Sequence, residues 1–135
     1  MSFNFVIDSY AWIEYFKGSK RGLSVRNYVE KENSATPTIV IAEISRKLLR
    51  EILAGRETAV GRESKLDFIK TSTFVVELTE EIARLAGEID VERRKIVKDW
   101  GLADSIILAT ARMEKAKVVT GDKHFVDLKN ETIFI

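Results

Sequence analysis

Short apolar runs alternate with stretches of helical spacing along this chain. Phe3 to Ile7 is a β-prone run that ends at Asp8 and predicts a first strand. Ser9 to Phe16 predicts a helix closed by Gly18, and residues 22–32 a second, with Leu23, Val25, Tyr28 and Val29 as its apolar positions. Thr36-Pro37-Thr38 reads as a break. Ile39 to Leu53 then places Ile41, Ile44, Leu48 and Ile52 in one helical stripe that stops at Gly55. A more polar helix over about 57–70 leads into the β-branched run Thr73–Leu78, read as a strand.

Thr79-Glu80-Glu81 opens the next helix with acids where the helix dipole favours them. Its stripe is Ile82, Leu85, Ala86 and Ile89, and it runs out in Arg93-Arg94-Lys95. Leu102 to Ala116 is apolar on almost every side and predicts a buried helix. Lys117–Thr120 reads as a strand, Gly121-Asp122 as a turn and Thr132–Ile135 as a last strand. Strands alternating with helices predict an α/β domain of three layers. Its central sheet is mostly parallel, with four to five strands.

Composition narrows the chemistry. The 135 residues predict one domain over 1–135, with 45% hydrophobic and 32% charged residues, so neither disorder nor a membrane protein is expected. There is no cysteine, which excludes disulfides, thiolate nucleophiles and Cys-based metal sites. A single histidine, His124, excludes any site with two histidine ligands within one chain. Chemistry must run on carboxylates, hydroxyls, lysines or arginines. A net charge of +1 removes any global attraction to nucleic acid, so such binding would need a local patch. The start, MSFNFVID, lacks a basic region followed by a long apolar stretch. That predicts a cytoplasmic protein with no membrane partner.

Four carboxylates sit among apolar neighbours, where an unpaired charge is costly. Asp8 ends the first strand, where open parallel sheets bind ligands, but it serves equally as the cap of the following helix. Asp104 opens the most apolar helix, and taken singly it reads as a first-turn acid. Asp122 follows Val118-Val119-Thr120 through Gly121, a common turn pair. Asp8 and Asp122 nevertheless share one sheet edge. Glu43 lies opposite the Ile41–Ile44–Leu48–Ile52 stripe, where an exposed pair with Lys47 would satisfy it.

The ordered set, in the blocks FVIDSYAWIEYF, IAEISRKL, LADSIILATA and VVTGDKHF, resembles the PIN-domain nucleases, and among them the VapC-type toxins of toxin–antitoxin pairs. The first, third and fourth blocks are the specific ones. Tyr10 departs from the many members that carry a small hydroxyl residue two positions after the first Asp. The resemblance implies a PIN-like fold and metal-binding, catalytic roles for Asp8, Glu43, Asp104 and Asp122. It implies a Mg²⁺- or Mn²⁺-dependent endoribonuclease acting on RNA, an antitoxin partner, and a homodimer or higher even oligomer. An inactive PIN-like assembly module and a housekeeping RNA-processing nuclease are the competing readings. Other acid-based enzymes fit less well: a haloacid-type phosphatase needs an acid where Tyr10 stands, and a phospho-receiver domain needs an acidic pair that is absent.

Smaller features carry secondary expectations. Arg46, Lys47 and Arg50 share a helix with Glu43, and Arg93, Arg94, Lys95 and Lys98 form the most local basic patch. Either set reads as an RNA contact or as a solvated face. His124 reads as a phosphate sensor near Asp122 or, in preference, as a loop histidine in solvent. The first helix is apolar nearly all round, with Tyr10, Ala11, Trp12, Ile13, Tyr15 and Phe16, which predicts either a second covering surface, a copy of the chain or an antitoxin segment, or a helix enclosed by its own domain.

Overall fold

The computed structural model of the chain describes residues 2–135. The elements run β1 (Phe5–Ile7), α1 (Ser9–Lys17), α2 (Lys20–Glu30), β2 (Ser34–Pro37), α3 (Thr38–Leu53), α4 (Ala59–Ser72) and β3 (Phe74–Val76). They continue with α5 (Glu80–Arg94), α6 (Leu102–Met113), β4 (Lys117–Thr120), a 3₁₀ turn (Lys123–Phe125) and β5 (Thr132–Phe134). The five strands form one fully parallel sheet in the order β3-β2-β1-β4-β5. The right-handed rule for parallel crossovers assigns α1–α4 to one face and α5–α6 to the other, because the strand order reverses direction beside β1.

That reversal positions the site. β1 and β4 are neighbours in register, Ile7 opposite Val119, so their carboxyl ends open side by side. This is the topological switch point at which open α/β sheets bind ligands. The centre of the sheet is apolar and sealed, with Val6, Ile7, Val118 and Val119 inaccessible to solvent. As its composition predicts, α6 is buried almost throughout, from Ser105 to Ala111.

One strand contradicts the sequence reading. Ser34-Ala35-Thr36-Pro37 is a buried inner strand, not a break. Its polar groups are matched one by one: Ser34 Oγ donates to the Tyr28 carbonyl at 2.6 Å, and Trp12 Nε1 donates to Thr36 Oγ1 at 3.1 Å. Thr36 and Thr73 hydroxyls pair at 2.7 Å across the strands. Pro37 is tolerated because it is the last strand residue and the N-cap of α3, where its fixed φ of −65° suits the turn into the helix.

The first helix is largely enclosed by its own domain. Trp12 is fully buried and stacks on Phe16 at 5.4 Å, while Phe68 of α4 meets it edge-on at 6.2 Å. Thus enclosure by its own domain accounts for much of this surface, with α4 as the cover. Gly18 ends α1 with a left-handed φ of 64°, and Gly22 lets α2 turn back against it. A Cβ on Gly22 would lie 2.1 Å from the Glu14 carbonyl oxygen. Among the described residues no helix is long and apolar enough to cross a membrane.

Candidate functional site

The acids reach the site from four different elements. Asp8 follows β1 and caps α1, its Oδ1 accepting from the Ser9 N–H at 2.7 Å. Thr120, the last residue of β4, donates its hydroxyl to Asp8 Oδ2 at 2.7 Å and accepts the Asp122 N–H at 3.0 Å. One hydroxyl therefore ties the two strand-end acids together. Asp104 stands in the first turn of α6, where its Oδ2 accepts the Gly101 N–H at 3.2 Å. Asp122 Oδ1 accepts the His124 N–H at 2.9 Å and caps the 3₁₀ turn. Asp8 and Asp104 take the capping roles expected of them, and Asp122 caps the turn that follows β4.

Burial makes this costly for negative charge. Asp8 is 2% exposed and its pKa is pushed from 3.8 up to about 7, chiefly by loss of water. The Thr120 and Ser9 hydrogen bonds oppose the rise, and the charges of Glu43 and Asp104 add to it. Glu43 is also raised, first by burial and then by Asp104 and Asp122, against the pull of the Ser9 hydroxyl and Arg46. Burial raises Asp104 too, with His124 and the Gly101 N–H opposing and Asp122 adding.

Glu43 corrects the sequence reading. It is half-buried and forms no pair with Lys47, which instead contacts Glu51 at 2.8 Å. Its Oε1 is sealed from solvent and has no hydrogen-bond partner. The helical wheel recognised one buried face of α3, but the opposite face lines a cleft of about 330 Å³ together with Ser9, Tyr10, Arg46 and Asp122. A larger cavity of about 390 Å³ shares the Ile13, Lys17 and Lys47 walls but contains none of the four acids.

Two further residues were not legible in advance. His124 is half-buried, not a solvent-facing loop residue, and its Nδ1 lies 3.0 Å from Asp104 Oδ2 and 3.8 Å from Asp122 Oδ1. Asp104, Asp122 and His124 each offer a ligand atom within 4.8 Å of the others; Asp8 and Glu43 flank this trio and act on it through charge. Arg93 leaves the expected basic patch altogether. It is 5% exposed, forms a two-pronged pair with Asp127 at 2.7 and 2.8 Å, and lies over the Trp100 ring at 4.5 Å. Its Nη2 also donates to the His124 carbonyl at 2.9 Å. Arg94 and Lys95 pair with Asp90 and Glu92, so the patch is largely self-neutralised.

These donors fit a divalent cation. Carboxylate oxygens suit hard ions, the cluster has surplus negative charge, and Glu43 Oε1 lacks any partner of its own.

A sequence model of the PIN domain matches residues 5–131. No curated protein matches the chain in sequence. Among solved structures, PAE2754 from Pyrobaculum aerophilum is 17% identical with a TM-score of 0.75, over 99% of this chain and 90% of that one. VapBC2 from Rickettsia felis, bound to a DNA fragment from its promoter, gives 0.71 at 18% identity over 95% of both chains. Mycobacterium tuberculosis VapC20, described as a sarcin–ricin loop cleaving toxin, gives 0.69 at 18% identity over 93% of this chain and 95% of that one.

Proposed function

The chain belongs to the PIN-domain family, and from that membership we propose that it is a Mg²⁺- or Mn²⁺-dependent endoribonuclease, the toxin of a toxin–antitoxin pair. One observation carries the reading: buried acids from separate elements raise one another's proton affinity through their charges, and one of their oxygens has no partner. Uncompensated charge of that kind calls for a cation.

Asp8 and Asp104 would hold the ion directly, with Asp122 and Glu43 completing the site. A bound divalent ion supplies Lewis-acid activation of water and charge stabilisation of an in-line displacement at phosphorus. Thr120 and the Ser9 N–H hold the Asp8 oxygens in place, and the Gly101 N–H holds Asp104. Arg46, on the rim of the cleft, pairs with the scissile phosphate.

The toxin assignment draws on the solved structures of similar shape that are described as toxin–antitoxin proteins. On this reading the single domain spans 1–135, the partners are an antitoxin and a second copy of the chain, and the protein works in the cytoplasm. The test is cleavage of single-stranded RNA with Mg²⁺, with Mn²⁺ and with chelator. Asp104→Asn should lower the rate by at least ~100-fold without unfolding the chain. Cleavage by Asp104→Asn at the wild-type rate overturns the site. Metal binding by the wild type with no cleavage of any RNA favours the inactive-module reading instead.

A further inference from the structure

We propose that His124 supplies an imidazole nitrogen beside Asp104 and Asp122, so that this part of the cluster is a mixed nitrogen–oxygen site favouring a divalent transition-metal ion over Mg²⁺. The inference rests on the metal-dependent reading above and goes beyond it, because four carboxylates alone present only oxygen.

The geometry is specific. His124 Nδ1 stands 3.0 Å from Asp104 Oδ2 and 3.8 Å from Asp122 Oδ1. Metal–ligand bonds of about 2.1 Å at right angles place neighbouring donors about 3.0 Å apart, so the ring nitrogen already stands where an adjacent ligand belongs. Without an ion, the same gap is a hydrogen bond between His124 and Asp104. An imidazole nitrogen is softer than a carboxylate oxygen. It adds affinity for first-row transition ions and almost none for Mg²⁺, which takes oxygen ligands and keeps its water.

The imidazole is built in, not swung in from a mobile loop. The His124 N–H is tied to Asp122 Oδ1 at 2.9 Å, and its carbonyl accepts from Arg93 Nη2 at 2.9 Å. The next residue, Phe125, is inaccessible to solvent and packs on Trp100 at 5.0 Å between ring centres. The buried Arg93 is itself clamped to Asp127. Backbone and flanking side chains are therefore fixed on both sides of the ring. Arg93 is a positioning residue for it.

The experiment uses Mn²⁺, whose unpaired electrons report the nuclei bound to it. Pulsed electron paramagnetic resonance of the Mn²⁺-loaded full chain should show the modulation of a directly bound imidazole nitrogen, absent in His124→Ala and His124→Asn. Calorimetric titration should show Mn²⁺ affinity falling about tenfold or more in both variants, with Mg²⁺ affinity changed less than about twofold. His124→Asn separates ligation from orientation, because its amide N–H can still reach Asp104 but does not ligate through nitrogen. Melting curves identify a variant that has merely unfolded, and the wild-type spectrum then decides alone. Mn²⁺ bound with no nitrogen signal overturns the inference and leaves the metal-dependent reading standing, as does an equal loss of Mn²⁺ and Mg²⁺ affinity. If the wild type binds neither ion, both fall.

Discussion

Asp8→Asn should make the metal-free protein more stable, and increasingly so as pH rises. Asp8 is buried beneath Thr120 and its pKa is pushed from 3.8 up to about 7, so the folded chain holds this proton over a thousandfold more tightly than the unfolded chain does. At ~1.4 kcal/mol per tenfold, ionising it in place costs the native state about 4 kcal/mol. The sign follows from the proton count. The folded form binds the extra proton, so stability is lost as pH climbs from the ordinary Asp range through about 7, and levels off above it. Asparagine keeps the shape and the acceptor for the Ser9 N–H but gives up the charged hydrogen bond from Thr120, a loss of about 1 kcal/mol. The net gain at pH 8 is therefore about 3 kcal/mol, on the order of 10 °C in melting temperature for a domain of this size. Between pH 5 and pH 8 the advantage of the variant should widen by about 2–3 kcal/mol. Urea unfolding of both proteins in chelator at the two pH values measures it. A variant less stable than wild type at pH 8, or an advantage independent of pH, would refute the account of Asp8 as a buried, uncompensated charge.

Divalent metal should reverse this relation. Mn²⁺ should stabilise the wild type far more at pH 8 than at pH 5, because protons compete for the same oxygens, and should barely shift Asp8→Asn; a pH-independent thermal shift would count against the cluster. Gly22→Ala should cost about 3 kcal/mol by thermal melting, since the new methyl would meet the Glu14 backbone at 2.1 Å; an unchanged melting temperature would show that α1 and α2 can separate freely. Asp127→Ala should destabilise by about 3 kcal/mol, more than Arg93→Met, because it strands a guanidinium whose side chain is 6% exposed whereas Arg93→Met leaves a carboxylate that is 44% exposed. The reverse order in chemical denaturation would refute that asymmetry.

What the sequence revealed depended on how local the signal was. The helix α6 was plain because seven consecutive buried positions, Ser105–Ala111, can only belong to an interior helix. Asp8 and Asp122 stood out because each follows an apolar strand, and a parallel sheet puts those ends together. By contrast, Ser34–Pro37 carries almost no apolar signal, and it is held inside by hydroxyl pairings to Trp12 and Thr73 that no short window contains. His124 and Arg93 were misread for the same reason. Their partners lie 20 and 34 residues away, Asp104 for one and Asp127 for the other. The Lys47 pairing weighed for Glu43 fails because α3 has two occluded faces, one on the core and one on the cleft, and a single stripe reports only the first.

The hydrogen bond from Thr120 to Asp8 spans 112 positions of the chain. It has a bearing on biosynthesis. A ribosome that has released the first hundred residues has delivered Asp8 and Glu43, but neither Asp104 nor Asp122. The inner strand β1 is then still without its neighbour β4, so the switch-point cleft has only one wall. Chains grow at about 5–20 residues per second, so the later acids follow Asp8 only after an interval of seconds. A carboxylate cluster wired in this way cannot assemble until the chain has been made at least as far as Asp122. A copy terminated before Asp104 carries two of the four acids and lacks the other two.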